Sequence, residues 1–142
     1  MNPNSMRIGH GYDVHRFSEK YDTAKPLTLA GIEIPEQYSL LAHSDGDVIL
    51  HAVCDAILGA LGEGDIGQHF PDTDAQFAGV ASGDLLKQVL VLMDARQLYL
   101  VNVDITVVAQ VPKLNPHRVN MVSSLANLLE LPEQQVNLKA TT

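Results

Sequence analysis

The sequence predicts a small α/β (α+β) domain in which helices pack on one face of a small mixed β-sheet. Apolar residues recur at helical spacing from 45 to 61, whereas they alternate with polar residues from 101 to 107. Strand and helix patterns are interleaved along the chain, which is typical of a layered domain rather than an all-helical one. With 142 residues the chain fits one such domain, which we place at residues 6–142. Residues 1–5 are polar and carry no pattern, so we treat them as an N-terminal extension or an expression remnant.

Composition and charge narrow the function classes. Hydrophobic residues make up 46% of the chain and Trp is absent, so the core must be aliphatic. Nine Lys and Arg against seventeen Asp and Glu give a net charge of −8, which disfavours nucleic acid or an anionic membrane surface as a partner. A single cysteine, Cys54, excludes an intrachain disulfide, and no signal peptide is recognisable. These features predict a cytoplasmic protein, although a removed organelle transit peptide would leave no trace.

The first third of the chain predicts a strand and a hairpin. Residues 6–15 form a strand-like run whose period of two places Asp13 and His15 on one face and His10 on the other. Residues 27–35, LTLAGIEIP, predict two short strands about an Ala-Gly turn.

A first helix is predicted from residue 45 to about residue 61. The preceding Ser-Asp-Gly-Asp matches a capping box in which Ser44 is the N-cap. Asp47, His51 and Asp55 follow at i, i+4 and i+8, so they form one column on the polar face of this helix.

The remaining elements follow from turn and cap signals and from periodicity. In chain order, we expect a Gly-rich loop at 62–67, an irregular acidic segment at 70–74, a helix opened by Ser82 and reaching Arg96, a strand at 101–110, a helix starting at Asn115-Pro116 and a strand at 136–142.

Asp13, His15 and His51 are candidate ligands for a divalent metal ion. Zn²⁺ accepts imidazole nitrogen and carboxylate oxygen, and catalytic zinc sites use three protein ligands with one position left open. An Asp-x-His pair alone is more often an ordinary polar pair, and His51 between two aspartates could belong to a column of ion pairs. Residue types therefore permit the metal site without requiring it.

Four ordered segments resemble the 2-C-methyl-D-erythritol 2,4-cyclodiphosphate synthases, over nearly the whole chain. They are RIGHGYDVHRF at 7–17, the run from LLAHSDGDVILH to HFPDTD at 40–74, NVDITVVAQVPKLNPH at 102–117 and VNLKATT at 136–142. The resemblance implies an enzyme of the non-mevalonate isoprenoid pathway, a phosphorus-oxygen lyase. It would convert 4-diphosphocytidyl-2-C-methyl-D-erythritol 2-phosphate into the cyclic 2,4-diphosphate and CMP. It also implies a homotrimer with active sites between subunits.

The same resemblance assigns roles to individual residues. Asp13, His15 and His51 would hold a zinc-type ion, and His43 and Thr142 would stabilise the transition state. His43 and Ser44 would contact phosphates. The ribose would be held at 65–67, the methylerythritol part would be covered by 70–74, and the cytidine and diphosphate would be held at 109–115 and 140–142. In full, the implied substrate-binding residues are Asp13, Val14, His15, His43, Ser44, Asp65, Ile66, Gly67, Phe70, Pro71, Asp72, Thr73, Asp74, Ala109, Gln110, Val111, Pro112, Lys113, Leu114, Asn115, Ala140, Thr141 and Thr142.

The sequence departs from the family pattern at its end. Family members continue past the equivalent of Thr142 with a Glu that helps to hold a second ion, Mg²⁺ or Mn²⁺, on the diphosphate, and with a loop and a closing helix. We therefore expect a cyclodiphosphate-synthase-like domain without that loop and helix, with the second ion's protein ligand beyond residue 142. One alternative is an inactive trimer that binds metal and CMP.

Another alternative is a metal-dependent phosphohydrolase of the HD type, which would use residues such as His51 and Asp55. Those folds are all-helical. The alternating run at 101–107 argues against one.

Overall fold

The computed structural model describes residues 6–142, so the proposed N-terminal extension at 1–5 lies outside the described residues. Helices and strands alternate within that range, as predicted. The helices are α1 (Val48–Leu61), α2 (Ile66–His69), α3 (Ser82–Ala95) and α4 (Arg118–Leu129), and the strands are β1 (Thr28–Leu29), β2 (Ile32–Glu33), β3 (Val103–Val108) and β4 (Val136–Thr141). Short 3-10 turns occupy Ala75–Phe77, Asn115–His117 and Glu133–Gln135.

The predicted α+β class is confirmed, and the strands of residues 6–142 form two small sheets. β1 and β2 pair antiparallel with Leu29 opposite Ile32. β3 and β4 pair parallel, from Val103 opposite Val136 to Val108 opposite Thr141. An all-helical phosphohydrolase fold is therefore excluded.

The core is aliphatic, as the composition predicts. α1 packs against α3, and α4 packs against β4. Cys54 is fully buried in this core, and burial raises the pKa of its thiol to about 12. No helix within residues 6–142 is both long and apolar enough to cross a membrane. The largest fully buried apolar side chains are Leu27, Ile34, Leu50, Leu58, Leu86, Val89, Met121 and Leu125.

The predicted strand at residues 6–15 is wrong, although its alternation is correct. Gly11, Asp13 and His15 are partly buried while Tyr12 and Val14 are exposed. The segment forms no ladder, because no other strand of the described chain lies beside it. The one bridge near it joins Phe17 to Leu40.

This extended segment instead crosses α1 at very short range. A Cβ built on Gly9 would lie 1.8 Å from the Ala56 carbonyl oxygen, and one on Gly11 would lie 1.7 Å from that of Ala52. Real Cβ atoms do not approach carbonyl oxygens so closely, so only glycine fits at both positions. The close approach brings Asp13 to the face of α1 that carries His51.

The N-cap of α1 is Asp47 rather than the predicted Ser44. The Asp47 carboxylate accepts from the Leu50 N–H at 3.1 Å, which is N-cap geometry. Ser44 lies one turn earlier, and its hydroxyl accepts from the Gly46 N–H at 3.2 Å. The capping-box pattern therefore identified the correct region but placed the helix start three residues too early.

Asp47 also binds the turn between β1 and β2. Its two carboxylate oxygens accept from the N–H groups of Ala30 at 3.0 Å and Gly31 at 2.7 Å. Both turn residues have positive φ, 56° and 77°, as a tight hairpin turn requires. Since Asp47 is fully buried, the predicted polar column on α1 does not face solvent.

The second half follows the prediction with shifted helix starts. α3 has Ala81 at its N-cap, so Ser82 is its first residue rather than its cap. The Ser82 side chain is fully buried. α4 begins at Arg118, because Asn115 and Pro116 belong to the preceding 3-10 turn. The two predicted strands at 101–110 and 136–142 are confirmed as β3 and β4.

We expect Asp47→Ala to lower the free energy of unfolding by about 2 to 4 kcal/mol, because a buried N–H without an acceptor costs about 1 to 3 kcal/mol. Urea denaturation followed by circular dichroism measures this change. The matched control is Asp84→Asn on the exposed surface of α3, which should change stability by less than about 0.5 kcal/mol. Equal stabilities of the two variants would refute the role of Asp47.

The comparison of Asp47→Ala with the unsubstituted protein also gives a pH-dependent prediction. Burial raises the pKa of Asp47 to about 6, against the opposing effect of its three N–H donors. The folded state therefore holds this proton more tightly than the unfolded state, so the contribution of Asp47 to stability falls as pH rises from about 4 through about 6. The stability difference between the unsubstituted protein and Asp47→Ala should shrink from pH 5 to pH 7.5. A difference that grows over this range would contradict the assignment.

Candidate active site

Asp13, His15 and His51 come together where the extended segment crosses α1. Their ligand atoms all lie within 4.8 Å of one another. The Asp13 Oδ2 atom is 3.0 Å from His51 Nδ1 and 3.5 Å from His15 Nδ1. The two imidazole rings meet edge to face with their centroids 5.2 Å apart. The three residues predicted from the sequence as metal ligands therefore form one cluster.

The free ring nitrogen of His15 fits a metal ligand. His15 Nδ1 lies 2.7 Å from the Val14 carbonyl oxygen, so Nδ1 carries the proton and donates it there. The Nε2 atom of His15 is buried and has no hydrogen-bond partner among residues 6–142. A buried ring nitrogen without a hydrogen-bond donor beside it has its lone pair available to a cation.

His51 is contacted on both edges of its ring. Its Nδ1 atom faces Asp13, and its Nε2 atom lies 2.8 Å from the Ser82 hydroxyl and 3.2 Å from the Ser44 hydroxyl. The His51 side chain is only 11% exposed, so water has little access to its ring.

Asp13 is held in its charged form. Partial burial alone would raise the pKa of its carboxyl group, but the hydrogen bond from His51 and the charges of both histidines outweigh this effect and lower the pKa. An anionic carboxylate beside two imidazoles is a suitable ligand set for Zn²⁺ or a similar divalent ion.

The predicted phosphate contacts lie in the loop before α1. Ser44 is within reach of His51, as described above, and the neighbouring His43 side chain is exposed. The His43 carbonyl oxygen accepts from the Gly79 N–H at 3.1 Å. This bond ties the loop to the segment that precedes α3.

The predicted ribose segment is fixed at the C-terminal end of α1. Asp65 is the N-cap of the short helix α2 and accepts from the Gln68 N–H at 2.9 Å. Asp55, the last member of the α1 column, accepts from the Ile66 N–H at 2.8 Å. Burial, together with the charges of Asp65 and Asp13, raises the pKa of Asp55.

The segment predicted to cover the methylerythritol part has one buried anchor. Phe70 is 8% exposed and packs edge to face on Phe77 with ring centroids 5.3 Å apart. Asp72 and Thr73, which lie between Phe70 and Phe77 in the sequence, are exposed. Phe70 is thus a core residue in this structure, and the exposed part of the segment is the part available to a ligand.

The predicted nucleotide segments meet at the carboxyl ends of β3 and β4. Parallel pairing brings these ends to one edge, where the Ala109 N–H donates to the Thr141 carbonyl oxygen at 2.9 Å. Pro112, which follows a cis peptide bond, and Leu114 are buried, whereas Lys113 is exposed. The remaining exposed members are Gln110, Val111, Asn115, Ala140, Thr141 and Thr142.

A largely apolar cavity of about 350 Å³ lies between the extended segment, α1 and β3. Asp13 and His15 line it together with Val108, Ala109 and Pro112. His43, Ser44, residues 65–67 and residues 140–142 do not line it. One chain therefore does not gather all the predicted substrate contacts around one cavity.

The sequence did not identify Asp45, Asp47 and Ser82 as residues that support this site. The Ser82 amide and hydroxyl both donate to the Asp45 carboxylate, the amide at 3.0 Å. The sequence does contain a helix-cap pattern at each of Ser82 and Asp45, which both lie at predicted helix starts. A cap pattern, however, indicates only hydrogen bonds within its own helix end. Ser82 is separated in sequence by 31 positions from His51 and by 37 positions from Asp45, and local patterns cannot predict contacts over such distances.

Comparisons with known proteins identify the family of this chain. The model of the YgbB family matches residues 6–142. A 2-C-methyl-D-erythritol 2,4-cyclodiphosphate synthase of Azotobacter vinelandii is 56% identical over 137 residues, which cover 96% of this chain and 85% of that protein. The synthase of Francisella tularensis subsp. novicida is 51% identical over 138 residues, covering 97% and 85%.

Two solved structures with CDP are also similar. A 2C-methyl-D-erythritol-2,4-cyclodiphosphate synthase in its CDP-bound form superposes with a TM-score of 0.87 at 42% identity, covering 94% of this chain and 87% of that one. The CDP complex of IspF from Plasmodium falciparum gives 0.82 at 40% identity, covering 98% and 83%. From the family match and these identities, the chain belongs to the YgbB family, the family of the 2-C-methyl-D-erythritol 2,4-cyclodiphosphate synthases.

Proposed function

We propose that this chain converts 4-diphosphocytidyl-2-C-methyl-D-erythritol 2-phosphate into 2-C-methyl-D-erythritol 2,4-cyclodiphosphate and CMP. The observation that carries the proposal is the cluster of Asp13, His15 and His51 in a chain of this family. Two segments distant in sequence supply this ligand set: the extended segment carries Asp13 and His15, and α1 carries His51.

The metal ligands would be His15 Nε2, His51 Nδ1 and a carboxylate oxygen of Asp13. Each of these atoms is either without a protein partner or faces another of the three residues. When bound, a divalent ion neutralises and polarises phosphate oxygens. We propose a zinc-type ion here, and a second ion, Mg²⁺ or Mn²⁺, on the diphosphate with a protein ligand beyond residue 142.

The reaction would be an intramolecular displacement. An oxygen of the 2-phosphate attacks the β-phosphorus of the diphosphate, the bond from that phosphorus to the bridging oxygen breaks, and CMP leaves with the bridging oxygen. This is a phosphorus-oxygen lyase reaction that needs a folded substrate and charge stabilisation rather than a protein nucleophile. His43 and the Thr142 hydroxyl would donate to the charge that develops, and Ser44 would hold a phosphate.

The other segments would bind the rest of the substrate. Residues 65–67 would hold the ribose, 70–74 would cover the methylerythritol part, and 109–115 with 140–142 would hold the cytidine and diphosphate. CDP-bound relatives support a cytidine ligand. The backbone bond that joins the two nucleotide segments, from Ala109 to Thr141, supports their acting as one pocket.

We further propose that the active site forms between subunits of a homotrimer. Within one chain the cavity touches the extended segment and the end of β3 but not the phosphate and ribose segments. Apolar side chains of the extended segment are also highly exposed, as expected of an interface. They are Met6 (90%), Ile8 (89%), Tyr12 (75%) and Val14 (70%).

Phosphorus NMR of the cytidyl substrate incubated with the protein and Zn²⁺ and Mg²⁺ tests the function directly. A cyclic diphosphate and CMP should appear together and in equal amounts. Linear phosphate products would refute the lyase reaction. CMP binding in calorimetry without any turnover would instead support the inactive binding trimer.

His51→Ala should abolish stoichiometric zinc binding, because it removes one of three ligands and the hydrogen bond that keeps Asp13 anionic. Zinc content after dialysis, measured by mass spectrometry, gives the result. The matched control is His117→Ala, which removes a partly buried histidine near Glu36 and should retain full zinc occupancy. Full occupancy in His51→Ala would remove this residue from the metal site.

His43→Ala should lower kcat by about 10² to 10³ if this exposed imidazole stabilises the transition state. Zinc content and the melting temperature should stay close to those of the unsubstituted protein, since no described side-chain contact is lost. Steady-state CMP release measures kcat, again with His117→Ala as the control. Unchanged kcat would exclude the catalytic role of His43.

A further inference from the structure

We infer that Ser82 and Asp45 are positioning residues that fix the ring of His51 and its protonation pattern, so that Nδ1 is the nitrogen offered to a metal ion. This inference rests on the metal assignment in the proposed function. Ser82 is the first residue of α3 and is fully buried, and Asp45 lies in the turn before α1. Among the described hydrogen bonds, those that link Ser82 and Asp45 to the cluster run through His51.

The direction of each hydrogen bond in this group is determined by its donors. Both donors of Ser82 go to Asp45: the backbone N–H donates to Oδ2 at 3.0 Å, and the hydroxyl donates to Oδ1. An ionised carboxylate only accepts. The Ser82 hydroxyl therefore donates its one proton to Asp45, so the Ser82 oxygen can only accept hydrogen bonds from other partners.

The direction of the Ser82 hydroxyl determines which His51 nitrogen carries a proton. Ser82 Oγ lies 2.8 Å from His51 Nε2 and can only accept there. Nε2 must therefore be protonated. Nδ1 donates to Asp13 in the metal-free protein, and a cation bound beside Asp13 would replace that Nδ1 proton. Ser44 Oγ lies farther from Nε2, at 3.2 Å, and it also accepts from the Gly46 N–H. Ser82 is accordingly the principal partner.

Burial makes this arrangement effective. Because Ser82 is fully buried and the His51 side chain is only 11% exposed, water competes little for the His51 N–H. The carboxylate of Asp45 also makes the Ser82 oxygen a better acceptor by polarising its O–H bond. Outer partners of metal-binding histidines typically change metal affinity by about 10- to 100-fold when they are removed.

Zinc affinity measured against a fluorescent chelator tests the inference. Ser82→Ala and Asp45→Asn should each weaken Zn²⁺ binding by about 10- to 100-fold. In Asp45→Asn the side-chain amide can donate to Ser82, which frees the hydroxyl to donate to Nε2 and favours the wrong protonation pattern. Ser44→Ala should weaken binding less than Ser82→Ala. Binding of Zn²⁺ by Ser82→Ala within twofold of the unsubstituted protein would overturn the inference.

A matched control separates positioning from stability. Ser39 is also buried, and its hydroxyl is hydrogen-bonded to the backbone of Asp22 at 2.9 and 3.2 Å, outside the metal cluster. Ser39→Ala should lower the melting temperature as Ser82→Ala does, yet keep zinc affinity unchanged. An equal loss of zinc affinity in Ser39→Ala would show that general destabilisation is the cause and would overturn the inference.

Nitrogen NMR of the zinc-loaded protein, labelled at histidine, reports which His51 ring nitrogen carries a proton, and a loss of stability alone does not change this result. His51 should show a proton on Nε2 that exchanges slowly with water in the unsubstituted protein and quickly in Ser82→Ala. Zinc bound at Nε2, with the proton on Nδ1, would overturn the inference while leaving the metal site intact. Absence of zinc binding in the unsubstituted protein would overturn both the metal assignment and the inference, whereas zinc binding without CMP formation would count against the proposed reaction alone.

Discussion

The buried carboxylate of Asp47 joins the parts of the molecule that must stay together for the site to exist. It caps α1, the helix that carries His51, and it also binds both N–H groups of the turn between β1 and β2. The turn is held from its other side by Ser124 of α4, whose hydroxyl donates to the Ala30 carbonyl oxygen at 2.6 Å. Helix α1, the hairpin and α4 are therefore connected through polar groups inside an otherwise aliphatic core. Such groups fix relative positions in a way that apolar packing alone does not.

The acidic character of the chain has a structural explanation in this arrangement. Several of its carboxylates accept hydrogen bonds from N–H groups of the fold, with Asp47 fully buried and Asp45 and Asp55 partly buried. Asp45 holds the start of α3, Asp47 holds the hairpin and Asp55 holds the start of α2. A net charge of −8 is thus compatible with an anionic ligand, since much of the negative charge near α1 is already satisfied by N–H groups.

The sequence predicted much of the fold and the metal cluster, and the misses have physical reasons. The alternation around Asp13 and His15 correctly reports which side chains are buried, but it cannot report whether a second strand lies beside them. The cap pattern at 44–47 offers three oxygen-bearing side chains, and the one that caps α1 is decided by the hairpin that also needs Asp47. The candidate metal ligands could be recognised because their types and the surrounding motifs are distinctive. Ser82 could not, because a serine at a helix start already has an ordinary explanation.

The contact of Gly9 and Gly11 with α1 sets the dimensions of the metal cluster. Asp13 and His15 are attached to a backbone that touches the carbonyl groups of Ala52 and Ala56, so the gap to His51 is defined by backbone atoms on both sides. A close-packed contact of this kind has little room to compress. The spacing of the three candidate ligands therefore depends on the main chain as well as on the side chains that orient His51, and one added methyl group at either glycine would widen it.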